Sequence, residues 1–227
     1  MNTASDRDIL FSPLFIIKKL QRDVLKKHAQ LLNGNIIDIG CGAKPYKEYT
    51  TSSRYIGMDE SEGASCDVRA GAVSIPFKPD SFDSVICTEV LEHLDEPGKC
   101  ILEIERVLRS GGYLYVTVPQ SWGLHYEPHD YWRFTRYGIE YLLKKHDFEI
   151  VDIERLGGIF SMVGVRMIDV LWSGFVNLFS FLGKRQAERI ASLLCCPGSF
   201  LFYILGRLGD RIDKRDAIGW AVLARRR

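Results

Sequence analysis

Residues 36–46, IIDIGCGAKPY, decide the fold of this chain. An apolar run that ends in Asp-Ile-Gly-Cys-Gly is typical of a buried strand followed by a tight turn. Glycines at the carboxyl end of a strand let a ligand approach the backbone, and the start of the next segment offers free N–H groups. Pro45 stands where the third glycine of G-x-G-x-x-G would lie, which disfavours a dinucleotide pyrophosphate. The stretch therefore predicts a nucleotide-type turn.

Apolar runs and helical patterns alternate on either side of this turn. Further strands are predicted at YIGMDE (55–60), FDSVICTEV (82–90), GYLYVTVP (112–119), FEIVDIERL (148–156) and AIGWAVLAR (217–225). Helices are predicted at 14–32, within 97–112 with Leu108 on its apolar face, and at 135–147 with Thr135 as the N-cap. This alternation predicts an α/β fold with a mostly parallel sheet covered on both faces.

Composition and charge narrow the class of protein. The 227 residues suffice for one sizeable domain, and the six cysteines form no C-x-x-C pair, which argues against a zinc site and against a disulfide framework. The N-terminal stretch lacks the pattern of a signal peptide, so we expect a cytoplasmic protein. Basic residues after residue 183 flank apolar runs and form no exposed stripe, so we expect no nucleic-acid partner.

Four motifs stand in order along the chain: D-I-G-C-G, G-M-D, I-P-F-K-P-D-S-F-D-S-V-I-C-T-E-V-L-E-H-L and L-R-S-G-G-Y-L-Y-V-T-V-P. Their order and spacing closely resemble the class I S-adenosylmethionine-dependent methyltransferases, in the branch that includes ubiquinone and sterol methylating enzymes. The resemblance covers about residues 35–156 and the final strand. It implies a Rossmann-like sheet of seven strands, mostly parallel with an antiparallel last strand. We therefore expect one domain with an N-terminal helix (1–34), a cofactor-binding core (35–156), an apolar helical insertion (157–215) and a last strand with a basic tail (216–227).

The resemblance implies S-adenosylmethionine as the cofactor. The cofactor-binding positions that it implies are Asp38, Gly40, Cys41, Gly42, Met58, Asp59, Ala72, Thr88 and Glu89. In this reading Asp59 binds the ribose hydroxyls, and Asp38 and Glu89 lie near the methionine part. Asp38 has the alternative of only orienting the turn, and Glu89 that of a carboxylate at a helix N-terminus.

One departure from the family pattern concerns the adenine ring. The aspartate that usually meets the adenine amino group is replaced by Gly71, and Asp67 is nearby but out of register. The resemblance leaves the backbone N–H of Ala72 to contact the ring.

The segment E-V-L-E-H holds Glu89, Glu92 and His93. In ubiquinone O-methyltransferase relatives a similar triplet binds a divalent metal, and ligands at i, i+3 and i+4 of a helix share one face. The same letters also occur in relatives without metal, where they pack near a helix start. We expect no metal.

The stretch YEPHDYWRFT (126–135) follows the fifth strand, where this fold places the acceptor of the methyl group. The candidate catalytic residues are His129, His125, Arg133 and Tyr131. Either histidine suits a general base, Arg133 suits a phosphate or carboxylate, and Tyr131 with Trp132 suits a wall beside the sulfonium. The alternative is an ordered loop that only caps the sheet.

Residues 157–215 contain two uncharged runs, at 170–183 and 190–206, shorter than the ~20 residues of a membrane span. With Gly174, Asn177 and Pro197 as interruptions and arginines at the flanks, they favour a helix pair in a membrane interface over a lid or a dimer surface. We therefore expect a methyltransferase, peripheral to the membrane, that O-methylates a small-molecule, lipid-linked or glycan acceptor. The alternatives are C-methylation of a prenylated quinone-like ring and a non-catalytic cofactor-binding scaffold.

Overall fold

The computed structural model describes residues 12, 14–212 and 214–227. Seven strands form one sheet in the order β3-β2-β1-β4-β5-β7-β6. The strands are β1 (Asn33–Ile39), β2 (Thr51–Asp59), β3 (Val68–Arg69), β4 (Phe82–Thr88), β5 (Leu108–Pro119), β6 (Phe148–Leu156) and β7 (Gly219–Arg226). The helices are α1 (Phe15–His28), α2 (Pro97–Val107), α3 (Arg136–Lys145), α4 (Ile159–Leu178) and α5 (Lys184–Gly209). The predicted class of fold is confirmed.

The strands pair in the mostly parallel arrangement that the sequence predicts. β1 pairs in parallel with β2 and β4, β4 pairs in parallel with β5, and β7 runs antiparallel to β5. Because parallel strands need crossovers and are covered on both faces, their central positions are mostly apolar; Ile36, Ile37, Val85 and Ile86 are fully buried. The carboxyl ends of β1, β2, β4 and β5 consequently meet at one edge of the sheet, where ligands bind in open α/β folds.

Two local predictions have opposite outcomes. Thr135 caps α3 as predicted, because its side-chain oxygen accepts a hydrogen bond from Gly138 N–H at 3.1 Å. The assignment of Leu108 to the apolar face of a helix is wrong. α2 ends at Val107, and Leu108 is the first residue of β5. Gly111, with φ of +79°, lies within this strand.

The chain divides into two compact units. One comprises the described residues up to Arg22 together with Arg155–Ile218, and the other comprises Asp23–Glu154 and Gly219–Arg227. In the first unit α4 and α5 pack as an antiparallel hairpin joined by a turn at Ser180–Leu182. The helices are longer than the uncharged runs suggest, since Gly174 and Pro197 lie inside them without ending them. Both helices are long and apolar enough to cross a membrane by length and composition.

Asp210, directly after α5, binds the start of α4 at the end of the hairpin opposite to the turn. Its buried carboxylate accepts hydrogen bonds from Gly158 N–H at 2.7 Å, from Phe160 N–H at 2.9 Å and from the Ser161 hydroxyl at 2.6 Å. These N–H groups belong to the start of α4, where a helix has no internal acceptors and where its dipole favours a negative charge. One side chain thus joins the end of α5 to the start of α4.

We expect Asp210→Asn to lower the free energy of unfolding by about 2 to 3 kcal/mol, because an amide nitrogen replaces an acceptor that faces buried donors. Denaturant unfolding followed by circular dichroism measures the loss. Asp169→Asn is the matched control, since Asp169 lies in the middle of α4, away from the helix end; it should change stability by about 0.5 kcal/mol or less. Equal losses in the two variants would show that Asp210 is not a special anchor.

Candidate active site

The turn after β1 is shaped by two glycines with positive φ. Gly40 has φ of +66° and Gly42 has φ of +49°. The N–H groups of Gly40 and Cys41 both donate to the carbonyl oxygen of Met58, at 2.9 and 3.2 Å. A side chain at Gly40 would overlap Val90, whereas no atom of the described residues lies within 4 Å of a Cβ placed at Gly42. The turn is therefore tied to β2 on one side and leaves open space above Gly42.

Asp59 at the end of β2 points toward this turn. Its Oδ2 accepts from Gly42 N–H at 2.9 Å, and its Oδ1 accepts from Ser61 N–H at 2.8 Å. Each carboxylate oxygen offers two lone pairs, so these two bonds leave acceptor capacity for hydroxyl groups. The side chain is 8% exposed, which places it at the floor of the turn.

Asp38, the residue before the last of β1, is almost fully buried, with 1% of its surface exposed. Its Oδ2 accepts from the Tyr55 hydroxyl at 2.7 Å, while its Oδ1 has no partner among the described residues. Burial raises the pKa of Asp38 to about 7, although the hydrogen bond from Tyr55 opposes the rise. An orphaned carboxylate oxygen in this position fits a cationic ligand group such as the ammonium of a methionine moiety.

Cys41 and Met58 form the apolar lining of the same turn. Met58 is fully buried and Cys41 is 2% exposed. Burial raises the pKa of the Cys41 thiol to about 12, with the Asp38 carboxylate adding to the effect. Because the thiolate is the reactive form, this cysteine is suited to packing and not to nucleophilic chemistry.

The residues expected at the adenine ring lie on either side of β3. Asp67 pairs with Lys44 Nζ at 2.7 Å and accepts from Gly57 N–H at 2.8 Å, so the pKa of Asp67 is lowered, chiefly by Lys44. Ala72 is buried. A Cβ at Gly71 would lie 3.2 Å from Oε2 of Glu60. The carboxylate of Glu60, which the family pattern does not single out, thus lies beside the position of the missing aspartate.

Thr88 is the last residue of β4, and Glu89 follows it at the same edge of the sheet. Glu89 has φ of +53°, an uncommon conformation for a residue with a side chain, and its N–H donates to the Thr117 carbonyl at 3.1 Å. Its Oε1 accepts from the Thr117 hydroxyl at 2.8 Å. No helix begins here, because residues Leu91–His93 form a short 3-10 turn and α2 starts at Pro97. The alternative of a helix N-terminal carboxylate for Glu89 is therefore wrong.

The loop between β5 and α3 is held by Arg133. Its guanidinium forms a bidentate pair with Asp130, with both N–O distances at 2.7 Å. The remaining N–H donors reach the carbonyl oxygens of Trp122, Gly123 and Trp132. The pairing holds the pKa of Asp130 well below its usual range. Arg133 therefore uses its five donors within the loop, and the structure gives it a loop-forming role in place of the predicted contact with a substrate phosphate or carboxylate.

The same loop is attached to the turn after β4. The N–H groups of Tyr131 and Trp132 donate to the carbonyl oxygen of Glu92 at 2.8 and 3.2 Å, and the Trp132 indole N–H donates to that of Leu94 at 2.8 Å. With their backbones fixed, Tyr131 and Trp132 remain 50% and 44% exposed. The loop thus presents aromatic surface to solvent.

The two candidate bases differ in their surroundings. His125 is half-buried, with Nε2 3.7 Å from Oε1 of Glu92 and Nδ1 3.1 Å from the Gly123 carbonyl. The Glu92 carboxylate raises the pKa of His125, while burial opposes the rise. His129 is exposed, and its Nδ1 lies 2.9 Å from the Tyr131 hydroxyl. Only His129 combines exposure with a ring nitrogen directed at another polar group of the loop.

Two groups of side chains in the described part of the chain have metal-ligand spacing. Glu92, His93 and His125 form one, and His28, Asp152 and Glu154 form the other. In the second group Glu154 already pairs with Lys27, and His28 lies 3.3 Å from Asp152. Glu89 belongs to neither group, because the 3-10 turn breaks the helical spacing on which the E-x-x-E-H pattern relies.

This chain is similar to known proteins in sequence and in fold. The sequence model of a family described as "Methyltransferase domain" matches residues 37–116, which contain the glycine turn, Asp59 and Glu89. A ubiquinone biosynthesis O-methyltransferase of Pseudomonas syringae is 25% identical over 189 residues, covering 73% of this chain and 79% of that protein. The protein of the same name from Chromobacterium violaceum is 27% identical over 127 residues, covering 48% of this chain and 55% of its own length.

Solved structures show the same fold. A phosphoethanolamine N-methyltransferase of Haemonchus contortus, in complex with S-adenosyl-L-methionine, superposes with a TM-score of 0.59 at 20% identity, covering 98% of this chain and 57% of that one. At this identity the likeness concerns the fold, while the sequence matches concern the domain. The domain match at residues 37–116 and the named relatives support an S-adenosylmethionine-dependent methyltransferase, and the solved structure is similar to this chain in fold.

Proposed function

We propose that this methyltransferase acts at the cytoplasmic surface of a membrane, where it transfers the methyl group to an oxygen of an amphipathic acceptor, a glycan or other head group on a lipid. The observation that carries this proposal is the exposed apolar surface of the α4–α5 hairpin. The names of the ubiquinone biosynthesis relatives support oxygen over carbon as the methylated atom.

The hairpin is packed through its small residues. Buried positions of α5 recur every four residues as Ala187, Ala191, Cys195 and Ser199. Gly164 of α4 lies against Phe202, and a Cβ there would overlap that ring. Small residues at a helix contact let the backbones approach closely, which is typical of helix pairs in an apolar solvent.

Large apolar side chains face outward instead. On α4 the exposed apolar stripe runs through Val163, Met167, Val170, Leu171 and Leu178, and on α5 through Leu193, Phe200, Leu201, Ile204 and Leu208. A period of 3.6 residues and an antiparallel arrangement place both stripes on the same side of the hairpin. An apolar surface of this extent on a soluble protein marks a contact with a protein or a membrane.

The opposite edges of the two helices are polar and mostly basic. Arg166, Ser173 and Asn177 follow one stripe of α4, and Arg185, Arg189 and Arg207 follow one stripe of α5. A helix pair with one apolar side and one basic side suits the interface of an anionic bilayer, where it lies parallel to the surface. Charges at Arg166 and Asp169, in the middle of α4, favour this arrangement over a crossing of the membrane.

We propose that the cofactor lies on the edge formed by β1, β2 and β4. Asp59 binds the ribose hydroxyls, Asp38 faces the methionine ammonium beyond Gly40, Cys41 and Gly42, and Met58 packs beneath. Ala72 lies at the adenine ring, and Thr88 and Glu89 lie at the methionine end. When bound, S-adenosylmethionine supplies an electrophilic methyl group on a sulfonium.

The acceptor loop completes the site. Aromatic side chains of the loop form a wall that orients the acceptor and excludes water, which supplies most of the acceleration in an in-line displacement. In this transfer the carbon–sulfur bond of the bound cofactor would break as the acceptor oxygen takes the methyl group, and the proton of the acceptor hydroxyl would pass to a base. We propose His129 for this role, because it is exposed and Tyr131 orients its ring, whereas both ring nitrogens of His125 face Glu92 and the Gly123 carbonyl.

The ribose assignment predicts a loss of affinity in Asp59→Ala. Binding of S-adenosylhomocysteine, measured by calorimetry, should weaken by about 1.5 to 3 kcal/mol, the range for hydrogen bonds to a charged group. Asp67→Ala is the control, since Asp67 is occupied by Lys44. An analogue that lacks the ribose hydroxyls should bind wild type and Asp59→Ala almost equally. If the analogue loses as much affinity as the parent ligand, Asp59 only shapes the turn.

The membrane assignment predicts a difference between the two sides of the hairpin. Val170→Glu, on the apolar stripe, should lower the partition of the full chain into phosphatidylcholine/phosphatidylglycerol vesicles roughly tenfold or more, as expected from the loss of one buried valine side chain. Ser173→Glu, which adds the same charge on the polar edge of the same helix, is the control and should lower it much less. Vesicle sedimentation measures the partition.

Binding should also require the anionic lipid and weaken at high salt. Equal effects of the two substitutions, or no sedimentation of the wild type, would contradict the proposal. Resistance of the membrane-bound protein to alkaline carbonate would indicate a spanning hairpin in place of an interfacial one.

The assignment of the base predicts that His129→Ala lowers the rate of methyl incorporation about 10²-fold or more while leaving cofactor binding intact. Membrane extracts supplied with cofactor labelled in its methyl group provide the assay, and the labelled product shows which atom is methylated. Tyr131→Phe, which removes only the orienting hydroxyl, should cost less. An undiminished rate in His129→Ala, or a label on carbon, would refute this part.

A further inference from the structure

The turn end of the α4–α5 hairpin carries a cluster of cations around open space. Two cavities lie there, of about 560 Å³ and about 470 Å³. The first is lined by Leu182, Gly183, Lys184, Arg185, Gln186 and Arg189, and the second by Arg185, Glu188, Arg189, Ser192 and Leu193. Arg185 and Arg189 line both cavities and, being four positions apart on α5, lie on the same face of the helix.

These cations have no counter-ion in the described part of the chain. Lys184, Arg185 and Arg189 form no ion pair there. Arg106 and Arg133, by contrast, each pair with a carboxylate three positions away. Cations that lie together without carboxylate partners repel one another, so an anion that reaches all three lowers their energy.

The backbone at the start of α5 also favours an anion. Gly183, the N-cap, offers no side chain to accept a hydrogen bond, and its carbonyl accepts from the N–H groups of Gln186 and Ala187, both at 3.1 Å. The N–H groups of Lys184 and Arg185 have no acceptor within the helix. The first turn contains no acidic residue, although the helix dipole favours negative charge there. No atom of the described residues lies within 4 Å of a Cβ placed at Gly183, so this end is open.

The cluster borders directly on apolar surface. Leu182 and Leu193 line the two cavities and are 40% and 59% exposed. Between them and the arginines, the Ser192 hydroxyl accepts from the Trp172 indole N–H at 3.3 Å, which leaves its own proton free to donate. A ligand with a charged head and an apolar chain therefore finds a partner for each part, whereas a free phosphate finds a partner for the head alone.

We propose that Lys184, Arg185 and Arg189 bind the phosphate monoester head group of a lipid. With Glu188 in the same cavity, the four side chains carry a net charge of about +2. That charge complements a phosphate monoester, which is a dianion above its second pKa of about 6, better than the single charge of a phosphodiester. The guanidinium forks suit bidentate contacts with phosphate oxygens. The inference rests on the proposed membrane location and adds a choice of head group to it.

The test compares two anionic lipids at equal surface charge. Vesicles of phosphatidylcholine with phosphatidic acid, or with phosphatidylglycerol, are adjusted to the same zeta potential at about pH 8, where the monoester is a dianion. The wild-type full chain should sediment with the phosphatidic acid vesicles roughly fivefold more tightly or better, as two additional exposed ion pairs allow. At about pH 5, where the monoester loses one charge, this preference should disappear.

Arg185→Gln/Arg189→Gln should lose the preference. Arg207→Gln/Arg211→Gln is the matched control, because it removes the same charge with the same spacing at the other end of α5. The control should weaken binding to both kinds of vesicle alike and keep the ratio, since the general attraction to an anionic surface is lost equally for both lipids.

Equal binding of the wild type to the two kinds of vesicle would overturn the head-group site and leave the membrane location standing. A preference that survives in Arg185→Gln/Arg189→Gln would also overturn it. If the wild type sediments with neither lipid, the membrane location fails and the lipid ligand fails with it. Calorimetric binding of inorganic phosphate that Arg185→Gln/Arg189→Gln abolishes would in that case assign the cluster to free phosphate.

Discussion

The hydrogen bonds from Gly42 and Ser61 to the carboxylate of Asp59 are the interaction on which the account of this site depends. They join the turn after β1 to the end of β2, in addition to the hydrogen bonds from Gly40 and Cys41 to the Met58 carbonyl. The conformation of Gly42 is open only to residues that tolerate positive φ, and it aims the N–H at the carboxylate. The neighbouring Asp38 and Met58 are held by the pairing of β1 with β2.

The sequence predicted the sheet and the edge of the site because both depend on local patterns. Apolar runs, the period of the helices and the spacing from D-I-G-C-G to G-M-D are enough to place Asp38, Gly42 and Asp59 at one edge. The roles of Arg133 and Glu89 depend on partners that no local pattern specifies. Arg133 turns inward because Asp130 and three carbonyls surround it, and the 3-10 turn after β4 removes Glu89 from the face of Glu92.

The sequence likewise could not predict that Glu92 and His125 lie close together. The two residues are 33 positions apart and lie in the segments after β4 and after β5, which come together because these strands are neighbours in the sheet. Residues 157–215 show a different limit. Charged residues such as Arg166, Asp169 and Glu188 limit the length of the uncharged runs in the sequence. The two helices nevertheless continue through these charged positions, because small residues such as Gly164 and Ala191 pack the helices against each other. That inverted arrangement, with large apolar side chains outside, supports the proposed contact with lipid.

The most direct test of the central claim is a crystal structure of the full chain with S-adenosylhomocysteine. We predict one ligand per chain, with its ribose hydroxyls within hydrogen-bonding distance of Asp59 and its ammonium near Oδ1 of Asp38. Ligand density at another place, or a ribose that contacts neither carboxylate oxygen of Asp59, would contradict it.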